Sequence, residues 1–324
     1  MSRRWLVAGV MAALVALQPI MAEEKWWPSR WGPDDEAGNT NYMTPAKTLA
    51  ATALIKQGIV VKLGHDYHAE MPIPVGRVFA LRIPGAPSSQ VLGSNQVIYN
   101  DEYLTAEIGQ VGTQMDGFGH MGLALGDAAD RTKMTFYNGV TAQQMMTPRG
   151  LIKHGVEKLK PLFTRGILID LEGGLGDPLA AGYEVTVADI LQTLAWQGMS
   201  ADDIQPGDAL LLHTGWGRLW MVDNQQYASG EPGPGQAAAN WLAARQPVLV
   251  GMDNWSIDVM PNPTDPNVAV PAHIELLVKN GILLHENLKL AELAARKQYR
   301  FAYIFTPLPI RGATGSPGSP IAVY

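Results

Sequence analysis

The chain has 324 residues, 47% hydrophobic and 17% charged, an ordinary globular balance that permits a sizeable core. Its net charge of −6 and the lack of a long Lys/Arg run argue against a general nucleic-acid binder. Cysteine is absent, which excludes disulfides and a Cys nucleophile and leaves only N and O donors for any metal.

The first 22 residues read as a signal peptide. Arg3 and Arg4 precede an apolar run from Trp5 to Leu17, and Ala22 is followed by Glu23-Glu24. Cleavage after Ala22 is expected, which leaves 23–324 as the mature domain in the periplasm or outside the cell. Ser2-Arg3-Arg4-Trp5-Leu6 also resembles a twin-arginine signal, a route that exports folded, metal-loaded protein. No later stretch reads as a membrane span. The next segment, Trp26 to Asp35, holds two prolines and three tryptophans. It cannot be a regular helix and is read either as packing on the mouth of a site or a second subunit, with its tryptophans adding to an aromatic pocket, or as a simple structural arm.

Thr44-Pro45 caps a helix to about Gln57. Ile59 to Leu63 and Val78 to Ile83 read as strands, with loops at Met71 to Pro74 and Pro84 to Pro87. Gln96 to Tyr103 is expected to be extended. Thr141 to Met146 starts a short helix, and Gly166 to Leu171 has a buried-strand pattern. Val187 to Gln197 is a helix with an apolar face at Val187, Ile190, Leu191 and Leu194. Pro206-Gly207-Asp208 turns into the strand Ala209 to Thr214. A helix follows over Ala237 to Arg245, then a strand over Pro247 to Asp253. His273 to Lys279 is helical and closed by Asn280-Gly281. Strands follow at Ile282 to Leu284, leading into His285 to Leu288, and at Arg300 to Pro307. Gly312 to Pro320 reads as a loop. No repeat or linker divides the chain, and its second half alternates strand and helix. The expected fold is a single α/β domain with a mixed sheet.

One stretch concentrates the chemistry: Gln110-Val111-Gly112-Thr113-Gln114-Met115-Asp116-Gly117-Phe118-Gly119-His120. Gln114 and Asp116 are two apart, so in extended backbone they share a face. The glycines allow tight turns and close approach to a ligand. The residues alone leave two readings open, a strand or loop gathering metal ligands or a Gly-rich loop with ordinary polar residues.

This stretch resembles the signature of the cyclase family of metal-dependent hydrolases, which includes bacterial kynurenine formamidase, isatin hydrolase and trans-dienelactone hydrolase. The family pattern is His-x-Gly-Thr-His-x-Asp-x-Pro-x-His. Gly112, Thr113, Asp116 and His120 match it, while Gln110 and Gln114 stand in place of histidines and Phe118 in place of proline. The Gln-x-x-x-Gln-x-Asp form is similar to that of trans-dienelactone hydrolase and its relatives. Further matches are Leu212-His213-Thr214-Gly215-Trp216, the run Gly251 to Asp258, His273 with Gly281 and Glu286-Asn287-Leu288, and Thr314 to Pro317. Together they span about residues 30 to 324.

The resemblance implies a barrel-like mixed sheet with flanking helices, of swivelling β/β/α type. It places Gln110, Gln114 and Asp116 at the positions of a first metal's ligands. His120 falls on a general acid/base, with His273 and Glu286 completing the site or binding a second metal; the expected assignment is His273 as ligand and Glu286 as catalytic. Amide oxygens are neutral and harder than imidazole, which favours Mn²⁺ or Mg²⁺ relative to Zn²⁺ without excluding Zn²⁺. A divalent metal makes bound water more acidic, and His120 can carry its proton. Phe118, His213, Trp216 and Trp255 are candidate walls of a pocket for a cyclic or aromatic substrate. A homodimer or homotetramer is expected.

The expected activity is opening of a lactone or cyclic amide, or cleavage of an aryl formamide. A lyase or cyclase running in the condensation direction is not separable from it by sequence. The alternative is a periplasmic small-molecule binding protein on the same scaffold with catalysis lost. A Ser-His-Asp hydrolase is discounted because no Gly-x-Ser-x-Gly elbow is present. His65, His68 and His154 are read as surface or loop residues.

Overall fold

A computed structural model describes residues 25–324 apart from 75 and 86. Residues 1–22, read above as a signal peptide, lie outside the described residues. Nine strands build one curled mixed sheet. In chain order they are β1 (Val60–Lys62), β2 (Gln114–Asp116), β3 (Leu162–Asp170), β4 (Ala209–His213), β5 (Leu249–Met252), β6 (Leu283–Glu286), β7 (Arg300–Phe305), β8 (Gly315–Pro317) and β9 (Ile321–Val323). Their order across the sheet is β1-β9-β7-β3-β4-β5-β6-β2-β8. The middle four, β3 to β6, run parallel, and the flanking pairs are antiparallel.

The parallel centre follows from composition. Ile167 to Ile169, Ala209 to Leu212, Leu249, Val250, Leu283 and Leu284 are fully buried, as near-continuous apolar runs require when both faces of a sheet are covered. The helices Val187–Trp196 and Gln236–Ala244 contribute Ile190, Leu194, Ala239 and Leu242 to the same core. Leu191 is exposed, so the apolar stripe of its helix is narrower than expected. Among the described residues no helix is long and apolar enough to cross a membrane.

Four local expectations are corrected. The first helix, Pro45–Thr52, is capped by the Thr44 side chain but stops short of Gln57, where Leu54 and Ile55 close tight turns onto Ala51 and Thr52. Gln96 to Tyr103 forms no strand before its last residue, with Gln96 ending a turn, Val97 bridging to Leu92 and 98–102 irregular; the strand is Tyr103–Ala106, paired with Phe79–Arg82 in an exposed ribbon apart from the main sheet. Within the tail read as a loop, Gly315–Pro317 pairs with Gln114–Asp116 as an edge strand, where proline is tolerated; beyond that tail, Ile321–Val323 pairs with both β1 and β7. The helix beginning at Pro271 widens into a π-helix over Ile274–Lys279, immediately after His273.

Candidate metal centre

The site is built by strand register. β2 lies antiparallel to β6, with Gln114 opposite Glu286, Met115 opposite His285 and Asp116 opposite Leu284. Opposed residues share a face and neighbours alternate. Gln114, Asp116 and Glu286 therefore project together, while Met115 and His285 enter the core. There Nδ1 of His285 lies 2.6 Å from the Tyr303 hydroxyl. The expected shared face of Gln114 and Asp116 is present in this strand.

Two segments complete the cluster. His120 follows a turn closed by its own N–H on the Gly117 carbonyl. His273 stands at the helix-to-π-helix junction, where Asp258 accepts from the backbone N–H groups of Ala272, at 2.5 Å, and His273, at 3.3 Å. Ligand atoms of Asp116, His120 and His273 all lie within 4.8 Å of one another. Nε2 of His273 is 3.4 Å from Asp116 Oδ2 and 3.3 Å from Glu286 Oε1, and Nε2 of His120 is 3.9 Å from Asp116 Oδ2. Asp258 Oδ2 sits 2.5 Å from Nδ1 of His273 and fixes the ring.

The charges are poised by burial. Desolvation would raise Asp116, but His120 and His273 outweigh it and hold its carboxyl below the usual range. Desolvation pushes Glu286 up, and the Asp116 charge adds to that. Burial would lower His273, yet the carboxylates of Asp116, Asp258 and Glu286 around its ring raise it well above an ordinary imidazole. His120 is lowered by burial, with Asp116 opposing.

The residues present fit a divalent cation. Asp116 Oδ2 and Gln110 Oε1 are buried without a hydrogen-bond partner, as acceptors awaiting an electropositive group would be. Asp116 and His273, with the Gln110 amide oxygen beside them, supply the O and N donors such an ion takes, and His120 and Glu286 stand within reach of it.

The two glutamines differ from their expected common role. Gln110 Nε2 donates to Asp116 Oδ1 at 3.0 Å, which leaves its oxygen free. Gly315 makes room for this amide, since a Cβ there would lie 2.6 Å from Gln110 Nε2. Gln114 Nε2 donates to Glu286 Oε2 at 2.5 Å, and its oxygen accepts from Asn287 Nδ2 at 3.4 Å. Both ends of Gln114 are thus hydrogen-bonded, its nitrogen to Glu286 and its oxygen to Asn287.

The expected pocket residues separate. Trp255 lines the cleft over the cluster together with Arg77, Gln110, His120 and Met121. Phe118 is 1% exposed and packs on Tyr137, with ring centroids 4.7 Å apart, so it is a core residue. Trp216 is buried in a second cluster with Trp220 and Tyr227. His213 lines a different cavity, with Asp170 Oδ1 at 2.8 Å from its Nδ1. Burial opposes its charge, but Asp170, Asp253 and Glu172 raise its pKa. The tryptophan arm lies away from the cleft, with Trp27 against Gly139 and Trp31 edge-on to Tyr42. His154 is buried, contrary to its surface reading.

Sequence reasoning gave no role to Asp258, although it closes the Gly251 to Asp258 motif. It also passed over Glu231, which is fully buried and accepts from the N–H groups of Trp255 and Ser256 at 2.9 and 3.2 Å, holding the loop that carries the cleft wall. A lone Glu in a Gly/Pro-rich segment carries no local signal for such a task.

The family model described as Putative cyclase matches residues 61–259. A solved structure described as a novel cyclase is 29% identical, with a TM-score of 0.77, and the match covers 91% of this chain and 98% of that one. Isatin hydrolase A from Labrenzia aggregata superposes with a TM-score of 0.59 at 18% identity, covering 86% of this chain and 98% of that one. Isatin hydrolase A from Ralstonia solanacearum gives 0.58 at 21% identity, covering 87% and 98%. No curated protein matched in sequence.

Proposed function

The chain belongs to the Putative cyclase family, and from that membership and its site we propose that it is a metal-dependent hydrolase of small molecules. The observation that carries this reading is the convergence of Asp116, His120 and His273 around the unpartnered Oδ2 of Asp116. A divalent cation at such a site polarises a carbonyl and makes water a better nucleophile at neutral pH. Mn²⁺ or Zn²⁺ suits the donors, with Mn²⁺ favoured by their oxygen share.

The chain's residues divide the remaining work. Asp116 and His273 would hold the cation, with Asp258 fixing the imidazole and Gln110 fixing the carboxylate. His120 is the more exposed partner, with 17% of its side chain accessible against none for Asp116. It faces the cleft and carries the proton from water to the leaving group. Glu286, braced by Gln114, is the second proton-carrying group.

The substrate class is proposed as a lactone, cyclic amide or aryl formamide. Trp255 supports an apolar ring, because it borders both the cleft and an adjoining cavity of about 280 Å³ walled by Ile73, Pro74 and Tyr227. Relatives described as isatin hydrolases are consistent with such substrates. Export is proposed on Arg3-Arg4 and the apolar run after them; N-terminal sequencing of the mature protein checks it, with a start at Glu23 expected.

The test is turnover of lactone, isatin and formylkynurenine by protein stripped of metal and reloaded with Mn²⁺ or Zn²⁺. Activity that returns with the metal and is lost in His120→Ala supports the proposal. Ligand binding without turnover in either form would instead make the chain a binding protein on this scaffold.

A further inference from the structure

We infer that the molecule carries a second divalent-cation site, formed by Nε2 of His213 with the carboxylates of Glu172 and Asp253, in a cavity apart from the Asp116 centre. What carries it is a repeated device. In the first centre, Asp258 fixes Nδ1 of His273, and Nε2 is left 3.4 Å from Asp116 and 3.3 Å from Glu286. Around His213, Asp170 Oδ1 lies 2.8 Å from Nδ1, and Nε2 is left 3.5 Å from Glu172 Oε2 and 3.8 Å from Asp253 Oδ2. A carboxylate on Nδ1 keeps the proton on that nitrogen and turns the Nε2 lone pair outward, as metal-binding histidines require.

The cluster is also built to receive something. His213 is only 5% exposed, and among the described residues its Nε2 makes no hydrogen bond, although it faces a cavity of about 340 Å³. Asp253 is held by the backbone N–H and hydroxyl of Thr214 at 2.9 and 2.7 Å and by the N–H of Gly217 at 3.3 Å. Gly215 leaves space for the Glu172 carboxylate, which a Cβ would approach to 2.7 Å. The Glu172 and Asp253 carboxylates lie farther apart than the donors of the first centre, so an ion would have to draw Glu172 inward, and 33% of that side chain is accessible to make the move. The nearby guanidinium of Arg218 is engaged by the Gly215 carbonyl at 2.6 Å.

Position in the fold agrees. The donors follow or end three adjacent parallel strands: Glu172 just after β3, His213 at the end of β4 and Asp253 just after β5. The carboxyl ends of parallel strands are where α/β sheets place ligands. One imidazole and two carboxylates suit Mn²⁺, Zn²⁺ or Fe²⁺.

The experiment is calorimetric titration of the full chain with Mn²⁺, with Mn²⁺ paramagnetic resonance as a second count. Wild type should take two ions, and His213→Gln, Glu172→Gln and His273→Gln should each take one. Because Glu172 is partly exposed, its variant should melt with wild type, which separates lost binding from lost fold. Unchanged stoichiometry and affinity in both His213→Gln and Glu172→Gln would overturn the inference, since the carboxylates would then be balanced by a doubly protonated His213. Loss confined to His273→Gln would overturn it too, while leaving the hydrolase reading intact.

Discussion

Asp258 Oδ2 lies 2.5 Å from Nδ1 of His273, while the opposite nitrogen of that ring reaches Asp116. The carboxylate sets the tautomer and strengthens the imidazole as a donor. Asp258→Asn keeps the size but removes the charge. It should weaken Mn²⁺ binding at the Asp116 centre by about 10- to 100-fold. Calorimetric titration of the variant checks this, and unchanged affinity would show that Asp258 only caps the following helix.

Gln114 offers a sharper discrimination, because its Nε2 is 2.5 Å from Glu286 Oε2. If Gln114 braces Glu286, Gln114→Glu sets two carboxylates against each other in a buried site. Stability should fall by about 1–3 kcal/mol through the lost buried hydrogen bond alone. If Gln114 were a ligand, the added charge would tighten metal binding. Urea unfolding beside a Mn²⁺ titration distinguishes the two.

That residue also marks how far the sequence could be read. The alternation of Gln114 and Asp116 was legible, because period-two geometry is local. The parallel core was legible too, since runs such as Ala209-Leu210-Leu211-Leu212 suit few other environments. What was hidden depended on distant partners. Asn287 donates to the Gln114 oxygen, and that contact joins residues about half the chain apart. Phe118 looked like a pocket wall beside His120 until Tyr137 and the core claimed it. The Gly-Ser-Pro tail read as a loop because an edge strand takes its stability from its neighbour, here β2, and not from its own propensity.

Phe118 should accordingly govern stability more than substrate affinity. Phe118→Ala should cost about 3–5 kcal/mol. Phe118→Leu, which retains most of the volume, should leave KM near wild type while lowering Tm. A KM raised severalfold in Phe118→Leu without a lower Tm would return the ring to the pocket.

His154 predicts a pH dependence. Its Nε2 lies 3.1 Å from the Tyr137 carbonyl, its Nδ1 has no partner, and burial pushes its pKa down to about 4. In the unfolded chain the value is about 6.5. Above that pH both states are neutral and this stability is fully present. As pH falls towards 4, the unfolded chain binds a proton that the fold refuses, so up to about 3 kcal/mol is lost. Unfolding free energies of His154→Gln should fall less steeply than wild type between pH 6.5 and 4.5. Parallel curves would show that His154 takes its proton without cost in the fold.

Asp116 and His273 are proposed to hold a divalent cation that catalysis needs. The most direct measurement is the Mn²⁺ content of metal-loaded wild type, Asp116→Asn and His273→Gln, taken with hydrolytic turnover of a lactone or aryl formamide. Each variant should lose one ion relative to wild type, and turnover should vanish with that ion. Variants that keep the full metal complement, or a chelated wild type that turns over undiminished, would contradict the account.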